Sequence, residues 1–252
     1  MSRRLLLMAV TLSIVTGLIA SSAIAGGQVV GLEYVGDLFG CYGDVEFCAK
    51  LTLNGTPVPN YPIMFGAENV ATAFKFRLPD YTDRSGIACA PAPVAAVADV
   101  YYVQANALST QFVSPPVAVT IWKCGAQGVG AGGALYLPGP RKATFGLRDE
   151  VPPAGAPDDG SEGLLYIDLE KDVAAWCNRF DSPDPSGSPA TFTGWCWFIK
   201  PGNNNWISRR FEAVVVNDPV KPTFSLKVFK YYKTVEYQVS GFIKDGGVVF
   251  NP

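Results

Sequence analysis

Short stretches of alternating apolar and polar residues, separated by turn sequences about every ten residues, constrain the fold of this chain most. From Val45 to Leu53 every second side chain is apolar, and the intervening positions are mostly polar. Asn54-Gly55, a sequence typical of tight hairpin turns, follows directly. A repeat of two belongs to a half-buried β-strand, whereas a helix would repeat every 3.6 residues. The pattern therefore predicts a chain of many short strands.

The same pattern extends over the rest of the chain. In the first half it covers Val58–Phe65, Val100–Ala105 and Val117–Trp122. In the second half it covers Lys142–Leu147, Leu164–Val173, Val173–Arg179, Ala190–Phe198, Trp206–Val216, Thr223–Lys230, Thr234–Ile243 and Val248–Phe250. The 26 glycines and 20 prolines also suit short strands and turns. The prediction is an all-β protein, with an N-terminal β-sandwich and a second antiparallel domain of the β-sandwich or barrel-like type.

A stretch with five glycines in nine residues, Gly125–Gly133, divides the predicted strands into two groups. Such a composition is typical of a flexible linker. The predicted organisation is a signal peptide at 1–25, a first domain at 26–124, a linker at 125–133 and a second domain at 134–252.

The N-terminus has the three parts of a secretory signal. Arg3 and Arg4 supply the positive charge, Leu5–Ala20 is an uncharged apolar run, and Ala23-Ile24-Ala25 fits the cleavage rule. We expect a secreted, extracellular or periplasmic protein with no transmembrane segment after cleavage. The alternative is a single membrane anchor, which would need a longer apolar run of roughly 20 residues.

The chain contains no histidine. This excludes Ser–His–Asp and Cys–His catalytic sets, and it leaves no side chain with an unperturbed pKa near neutrality. We therefore expect folding stability to change little between about pH 5 and 8. Removal of Arg3 and Arg4 with the signal changes the formal net charge from −2 to −4. No nucleic-acid partner is expected for an acidic chain.

The motifs of the first domain occur in the order seen in bacterial Ig-like repeats. They are Tyr34-Val35-Gly36-Asp37, Gly40-Cys41-Tyr42-Gly43-Asp44-Val45, Ala49-Lys50-Leu51, Asn54-Gly55-Thr56-Pro57-Val58, Ile63-Met64-Phe65, Thr82-Asp83-Arg84-Ser85-Gly86-Ile87-Ala88 and Tyr101-Tyr102-Val103-Gln104-Ala105. Residues 31–123 thus resemble a bacterial Ig-like repeat domain, although the cysteines and the long segment 69–81 depart from the usual pattern. The resemblance implies an Ig-like β-sandwich that serves as a spacer or adhesion module, without catalytic residues.

A second series of motifs runs through residues 132–250. It consists of Gly132-Gly133-Ala134, Ala143-Thr144-Phe145-Gly146-Leu147, Gly163-Leu164-Leu165-Tyr166-Ile167-Asp168, Ala190-Thr191-Phe192-Thr193-Gly194, Phe211-Glu212-Ala213-Val214-Val215-Val216-Asn217-Asp218 and Val239-Ser240-Gly241-Phe242-Ile243-Lys244-Asp245-Gly246-Gly247-Val248-Val249. These motifs resemble the post-COAP domain of secreted bacterial proteins, which often follows Ig-like repeats. The resemblance implies a β-rich exported domain but no mechanism.

Six cysteines in an exported chain indicate disulfides. A metal site is disfavoured because the chain has no C-x-x-C pair and no histidine. Cys177 and Cys196 lie at similar distances from the loop between two successive strands, so a bridge across this hairpin is predicted.

The other four cysteines belong to the first domain. In an Ig-like sandwich, Cys48 and Cys89 would lie on neighbouring strands, while Cys41 and Cys124 would lie at one end. This favours Cys48–Cys89 and Cys41–Cys124. The alternative is Cys41–Cys48 with Cys89–Cys124, which peptide mapping would distinguish.

Asp168, Glu170 and Asp172 alternate along one predicted strand. A calcium site or the carboxylate pair of a glycosidase is conceivable, but a solvated outer face is the preferred interpretation. Two loop clusters are further calcium candidates: Asp158, Asp159 and Glu162, and Asp181 with Asp184. We expect no cofactor, with calcium as the alternative.

Trp195 and Trp197 flank Cys196 and therefore share a strand face. With Trp176 and Trp206 they could form an exposed platform for sugar rings, which near-complete burial of Trp195 and Trp197 would exclude. The preferred interpretation places them in the core of the second domain.

The sequence favours a non-enzymatic exported protein with a structural or adhesive role. The alternative is a carbohydrate- or ligand-binding protein that uses the aromatic residues of its second domain. The expected partner is a cell-surface or extracellular glycan or protein. A groove with two facing carboxylates would instead indicate a glycosidase.

Overall fold

The computed structural model describes residues 24–25, 28–72, 74–93, 98–108, 112–139, 142–150, 162–184, 188–200, 205–231 and 233–251. The regular elements in these residues are all β-strands. The predicted signal segment lies outside them, except for Ile24 and Ala25, which form a short strand. Within the described ranges, no helix has the length and apolar character needed to span a bilayer.

The first domain is a β-sandwich of two sheets. One sheet contains β1 (Ile24–Ala25), β2 (Gln28–Tyr34), β4 (Glu46–Leu53), β5 (Thr56–Pro57) and β8 (Ile87–Pro91). The other contains β3 (Phe39–Cys41), β6 (Pro62–Asn69), β7 (Lys75–Tyr81), β9 (Asp99–Ala107) and β10 (Val117–Trp122). The strands pair antiparallel except β3, which lies parallel to β10.

Strand β4 shows how the alternating pattern produces this core. Phe47 and Leu51 are buried and belong to the same apolar cluster as Tyr101 of the facing sheet. After β4 the chain turns through Asn54 and Gly55, whose φ angles are 52° and 79°. Both lie in the left-handed region that a two-residue hairpin turn requires, which is why an Asn-Gly pair occurs there.

The second domain is a closed barrel of eight antiparallel strands in chain order. They are β11 (Gly128–Tyr136), β12 (Lys142–Glu150), β13 (Glu162–Asp168), β14 (Val173–Asp184), β15 (Ala190–Ile199), β16 (Ile207–Val216), β17 (Thr223–Lys230) and β18 (Thr234–Asn251). Strand β18 pairs with β11 and closes the ring. Closure removes the free sheet edges at which other strands could add.

Aromatic rings fill the barrel interior. Phe145 and Phe224 stack with ring centroids 4.0 Å apart. Phe180 packs against Phe192 at 5.5 Å and against Phe211 at 5.6 Å. An eight-stranded barrel is just wide enough for side chains to fill it, so the interior is a packed core.

The prediction of a flexible linker at 125–133 is wrong. Residues 128–133 form most of β11 and are buried. A Cβ atom at Gly130 would lie 2.6 Å from the Trp122 ring, and one at Gly146 would lie 2.5 Å from the hydroxyl oxygen of Thr120. The glycines therefore allow strands of the barrel to approach the sandwich closely. A glycine-rich composition is the same for a flexible linker and for a closely packed strand, so the sequence alone did not distinguish the two.

The contact between the domains has its own apolar cluster. Val70, Val100 and Ala118 of the sandwich pack against Leu165 and Ile167, which point outward from the barrel. All five are at most 2 % exposed. The two domains are therefore joined by a packed interface as well as by the chain.

Two of the predicted disulfides are present. Cys48–Cys89 joins β4 to β8, and Cys41–Cys124 joins β3 to the residues after β10, which rules out the alternative pairing. The sulfur atoms of Cys48 and Cys89 lie within 4.8 Å of the Glu46 carboxylate. Among the described residues, these three side chains are the one cluster with the spacing of metal ligands. The disulfide leaves no thiolate there to bind a metal.

The third predicted disulfide is not formed in the structure. Cys177 and Cys196 are free, buried cysteines on neighbouring strands inside the barrel. Burial, together with a hydrogen bond to Cys196, raises the pKa of the Cys177 thiol. A raised pKa favours the thiol over the thiolate, and the thiol is the weaker nucleophile.

Candidate binding surface

Two tryptophans stand on the outer face of the barrel. In β15, Cys196 and Phe198 point into the core, so Trp195 and Trp197 point outward. Their exposed fractions are 38 % and 41 %. The preferred prediction that they form the core is wrong because alternate residues of a barrel strand face opposite sides. They are two positions apart on the strand, which corresponds to a Cα spacing of about 7 Å.

Two arginines flank Trp195 on the neighbouring strands. Arg179 of β14 and Arg210 of β16 are its register partners. The guanidinium carbon of Arg210 lies 5.3 Å from the centroid of the Trp195 ring, within the range of a cation–π contact. We call Trp195, Trp197, Arg179 and Arg210 the Trp–Arg surface.

The Trp–Arg surface carries a net positive charge. Arg210 pairs with the Asp181 carboxylate. Arg179 is exposed, and none of the described carboxylates forms an ion pair with it. One guanidinium group therefore remains available to an anionic ligand beside the exposed indoles.

The other two predicted tryptophans do not join this surface. Trp176 is the register partner of Trp197, but its indole N–H donates a 3.0 Å hydrogen bond to the carbonyl oxygen of Val70 in the first domain. Trp206 is half-buried, and its indole nitrogen is buried without a hydrogen-bond partner in the described part of the chain. Because its indole N–H bonds to Val70 of the first domain, Trp176 anchors the domain interface and does not belong to the Trp–Arg surface.

Arg209 lies on the opposite side of its strand from Arg210. Its register partner is the buried Cys196, and it forms an ion pair with Glu236, which Lys200 also contacts at 3.2 Å. Burial raises the pKa of Glu236, but the hydrogen bonds and charges of Arg209 and Lys200 outweigh burial and lower it. The ionised trio covers part of one barrel end.

The predicted solvated face of β13 is wrong. Asp168 is fully buried inside the barrel, where the Tyr237 hydroxyl donates a 2.9 Å hydrogen bond to its carboxylate. The Tyr166 hydroxyl lies 2.7 Å from that of Tyr237. Burial and these neighbours raise the pKa of Tyr166, so it stays protonated and can donate. The apolar residues of this strand face outward instead, because the first domain covers them.

The other two carboxylates of that predicted face lie apart from Asp168. Glu170 accepts a 2.6 Å hydrogen bond from the backbone N–H of Lys142. Asp172 adopts a left-handed conformation in the turn before β14, with φ of 54°. Within the described residues, these three carboxylates do not form a metal-ligand cluster with one another.

The predicted loop clusters also separate. Asp158 and Asp159 lie outside the described residues, as does the side chain of Asp184. Glu162 accepts a 2.9 Å backbone hydrogen bond, and Asp181 pairs with an arginine. The described members of these two clusters therefore have protein partners, and the calcium alternative stays a prediction.

An open cleft of about 630 Å³ follows the seam between the domains. The Glu33 carboxylate and the Lys142 ammonium form a 3.2 Å ion pair at its edge. Its apolar lining includes Val35, Leu38, Val117, Leu135, Leu137, Ile167 and Leu169. The ion pair between Glu33 and Lys142 is one of the polar contacts that the described residues form at this cleft.

Asp99 is a buried carboxyl group at the domain interface, with an exposed fraction of 2 %. Its oxygen accepts a 2.6 Å hydrogen bond from the Val100 N–H. Burial raises its pKa to about 6, against the opposing effects of that bond, the charge of Arg148 and the neighbouring Asn69 side chain. Burial thus brings the pKa of this carboxyl group close to the range in which a histidine would titrate. Little change in folding stability between about pH 5 and 8 stays a prediction, and Asp99 is the group that would contradict it.

Comparison with known proteins gives no relative that supports either of the two family resemblances. The chain matches no protein-family model, and no curated protein matches it. The Ig-like and post-COAP-like assignments therefore rest on the order of the motifs.

Sequence reasoning missed the role of Arg179 and Arg210 beside Trp195. The signal was present, because outward positions on three successive strands carry the arginine, tryptophan and arginine. Their alignment depends on strand register, and a bulge between Trp176 and Arg179 shifts it. Such a shift cannot be read from alternation alone.

Proposed function

We propose that this protein is an exported, non-enzymatic structural or adhesive protein whose two β-domains act as one rigid unit. The observation that carries the proposal is the close contact between β10 and the barrel, where Thr120 and Trp122 meet glycines. A packed interface of this kind suits a spacer or a presenting module. Because both cores are filled with side chains, the outer surface is the part available to partners.

The domain assignments are part of this proposal. The first domain is assigned as Ig-like and the second as post-COAP-like. The signal-like N-terminal sequence supports export to the periplasm or to the outside of a bacterial cell. The motif order supports these assignments. The two disulfides suit an oxidising compartment.

A second candidate function is the binding of carbohydrate or another ligand at the second domain. The specific support is the exposure of Trp195 and Trp197, at 38 % and 41 %. Exposed tryptophans concentrate binding energy at interfaces because they combine a large apolar area with an edge N–H group.

The test is direct binding by the mature chain, residues 26–252. The protein would be applied to arrays of extracellular glycans and of extracellular matrix proteins. Any ligand that binds would be recovered, and its mass would be measured by mass spectrometry. We expect saturable binding to at least one ligand, which is recovered unchanged. Chemical conversion of the ligand would show an enzyme, and lack of saturable binding on both arrays would exclude adhesion.

A further inference from the structure

We propose that the Trp–Arg surface binds an anionic glycan, a polymer rich in uronic-acid sugars. This inference rests on the ligand-binding candidate function above and names its ligand class. Trp195 and Trp197 supply stacking surfaces, and Arg179 supplies the partner for a carboxylate. Arg210, already paired with Asp181, lies over the Trp195 ring.

The aromatic part of the site is exposed and firmly placed. Trp195 and Trp197 stand on β15, whose inward residues Cys196 and Phe198 are locked in the barrel core. A packed strand fixes the Cα atoms of the two tryptophans about 7 Å apart, so the backbone that carries both indoles has little freedom to move. The flat apolar side of an indole can cover the C–H face of a sugar ring, while its edge N–H can donate to a hydroxyl.

The charged part of the site favours an acidic sugar over a neutral one. Arg179 is exposed without a carboxylate partner in the described residues. Arg210 is held against Trp195 at 5.3 Å and by Asp181, so its guanidinium group is already oriented. A guanidinium group binds a carboxylate through two parallel, charge-assisted hydrogen bonds. A uronate can form this pair of bonds, whereas a neutral sugar has no carboxylate and forms only weaker hydrogen bonds.

The architecture favours a glycan over an acidic peptide. Peptides commonly bind by adding a strand to a sheet edge. Strands β14, β15 and β16 each have partners on both sides, so this part of the barrel has no free edge. A surface of side chains on a closed sheet suits a chain that binds through its rings and carboxylates.

The test measures binding of the mature protein to sodium polygalacturonate by biolayer interferometry, with EDTA present to remove calcium. The methyl ester of the same polymer removes the charge and keeps the sugar. We expect the acid form to bind about tenfold more tightly, a difference of about 1.4 kcal/mol. Trp197→Ala and Arg179→Gln should each weaken binding to the acid form by about tenfold or more.

Phe242 and Lys221 provide matched controls elsewhere on the barrel. The Lys221 ammonium lies 5.5 Å from the Phe242 ring centroid, and Phe242 is 45 % exposed, so the pair combines an exposed aromatic with a cation. Phe242→Ala and Lys221→Gln should leave binding within twofold. Equal losses in these variants would overturn the location of the site, and melting curves of all four variants would establish that they are folded.

The remaining outcomes separate this inference from the proposed function. Equal affinity for the methyl ester would overturn the anionic class but leave glycan binding intact. Equally tight binding of poly-L-glutamate would show an acidic-peptide site and overturn the glycan assignment. Failure to bind polygalacturonate, together with saturable binding on the arrays, would overturn this inference and leave the proposed function standing.

Discussion

The hydroxyl group of Thr120 donates a 2.9 Å hydrogen bond to the backbone carbonyl of Ala131 across the domain interface. Thr120 belongs to the last strand of the sandwich, and Ala131 to the first strand of the barrel. Both residues are fully buried. The glycine-rich segment is thus buried and hydrogen-bonded at the domain interface, which supports the proposed structural role.

Gly146→Ala should destabilise the protein by about 1–3 kcal/mol, because the new Cβ would overlap a packed interface. It would lie 2.5 Å from the Thr120 hydroxyl oxygen and 2.8 Å from a methyl group of Val100. Urea unfolding measures the change. Gly66→Ala is the matched control, since its Cβ would meet the Gln104 carbonyl oxygen at 3.9 Å. Equal midpoints for the two variants would contradict a tight interface.

Asp99 should make the protein more stable at pH 5 than at pH 7. Its pKa is raised to about 6 in the folded state, so the folded chain holds the proton more tightly than the unfolded chain does. The stabilisation from this group is therefore present at low pH and lost as pH rises through about 6. The difference between pH 5 and pH 7 should be roughly 1 kcal/mol.

Asp99→Asn removes the titration and keeps an acceptor oxygen for the Val100 N–H. The variant should lose the stability difference between pH 5 and pH 7, and at pH 7 it should be at least as stable as the parent. The measurement is the free energy of unfolding at both pH values. An unchanged slope in the variant would assign the titration to another group.

Cys177 and Cys196 should behave as two hidden thiols. In the folded protein neither should react with a chromogenic disulfide reagent, because both are at most 3 % exposed. After unfolding without reductant, two thiols per chain should react, and peptide maps should contain Cys48–Cys89 and Cys41–Cys124. Absence of reactive thiols in the unfolded chain would instead reveal a third disulfide.

Trp176→Phe should destabilise the protein by about 1 kcal/mol, since it leaves the Val70 carbonyl without its 3.0 Å hydrogen bond. Trp197→Phe is the control, because that indole is 41 % exposed on the outer face. Thermal or urea unfolding of the two variants gives the comparison. A larger loss for the Trp197 variant would show that Trp176 does not anchor the interface.

The alternating pattern was informative where a strand buries one face. In β4 the apolar positions face the sandwich core as predicted, because the other face of the strand lies outside it. In β13 the same pattern predicted that Asp168 faces solvent, and this is wrong. Leu165 and Ile167 pack on the sandwich, while Asp168 lies inside the barrel. Alternation tells which residues share a face, but not which face is covered.

By itself, the sequence determined the all-β class and the positions of many strands, and it favoured the two disulfide pairings that the structure contains. These depend on local side-chain alternation, on turn residues such as Asn54 and Gly55, and on cysteine positions within a sandwich. Only the tertiary structure decided that the glycine-rich segment is a buried strand and that Arg179 and Arg210 lie beside Trp195. The physical reason is that close approach between domains and register between strands are set by contacts distant along the chain.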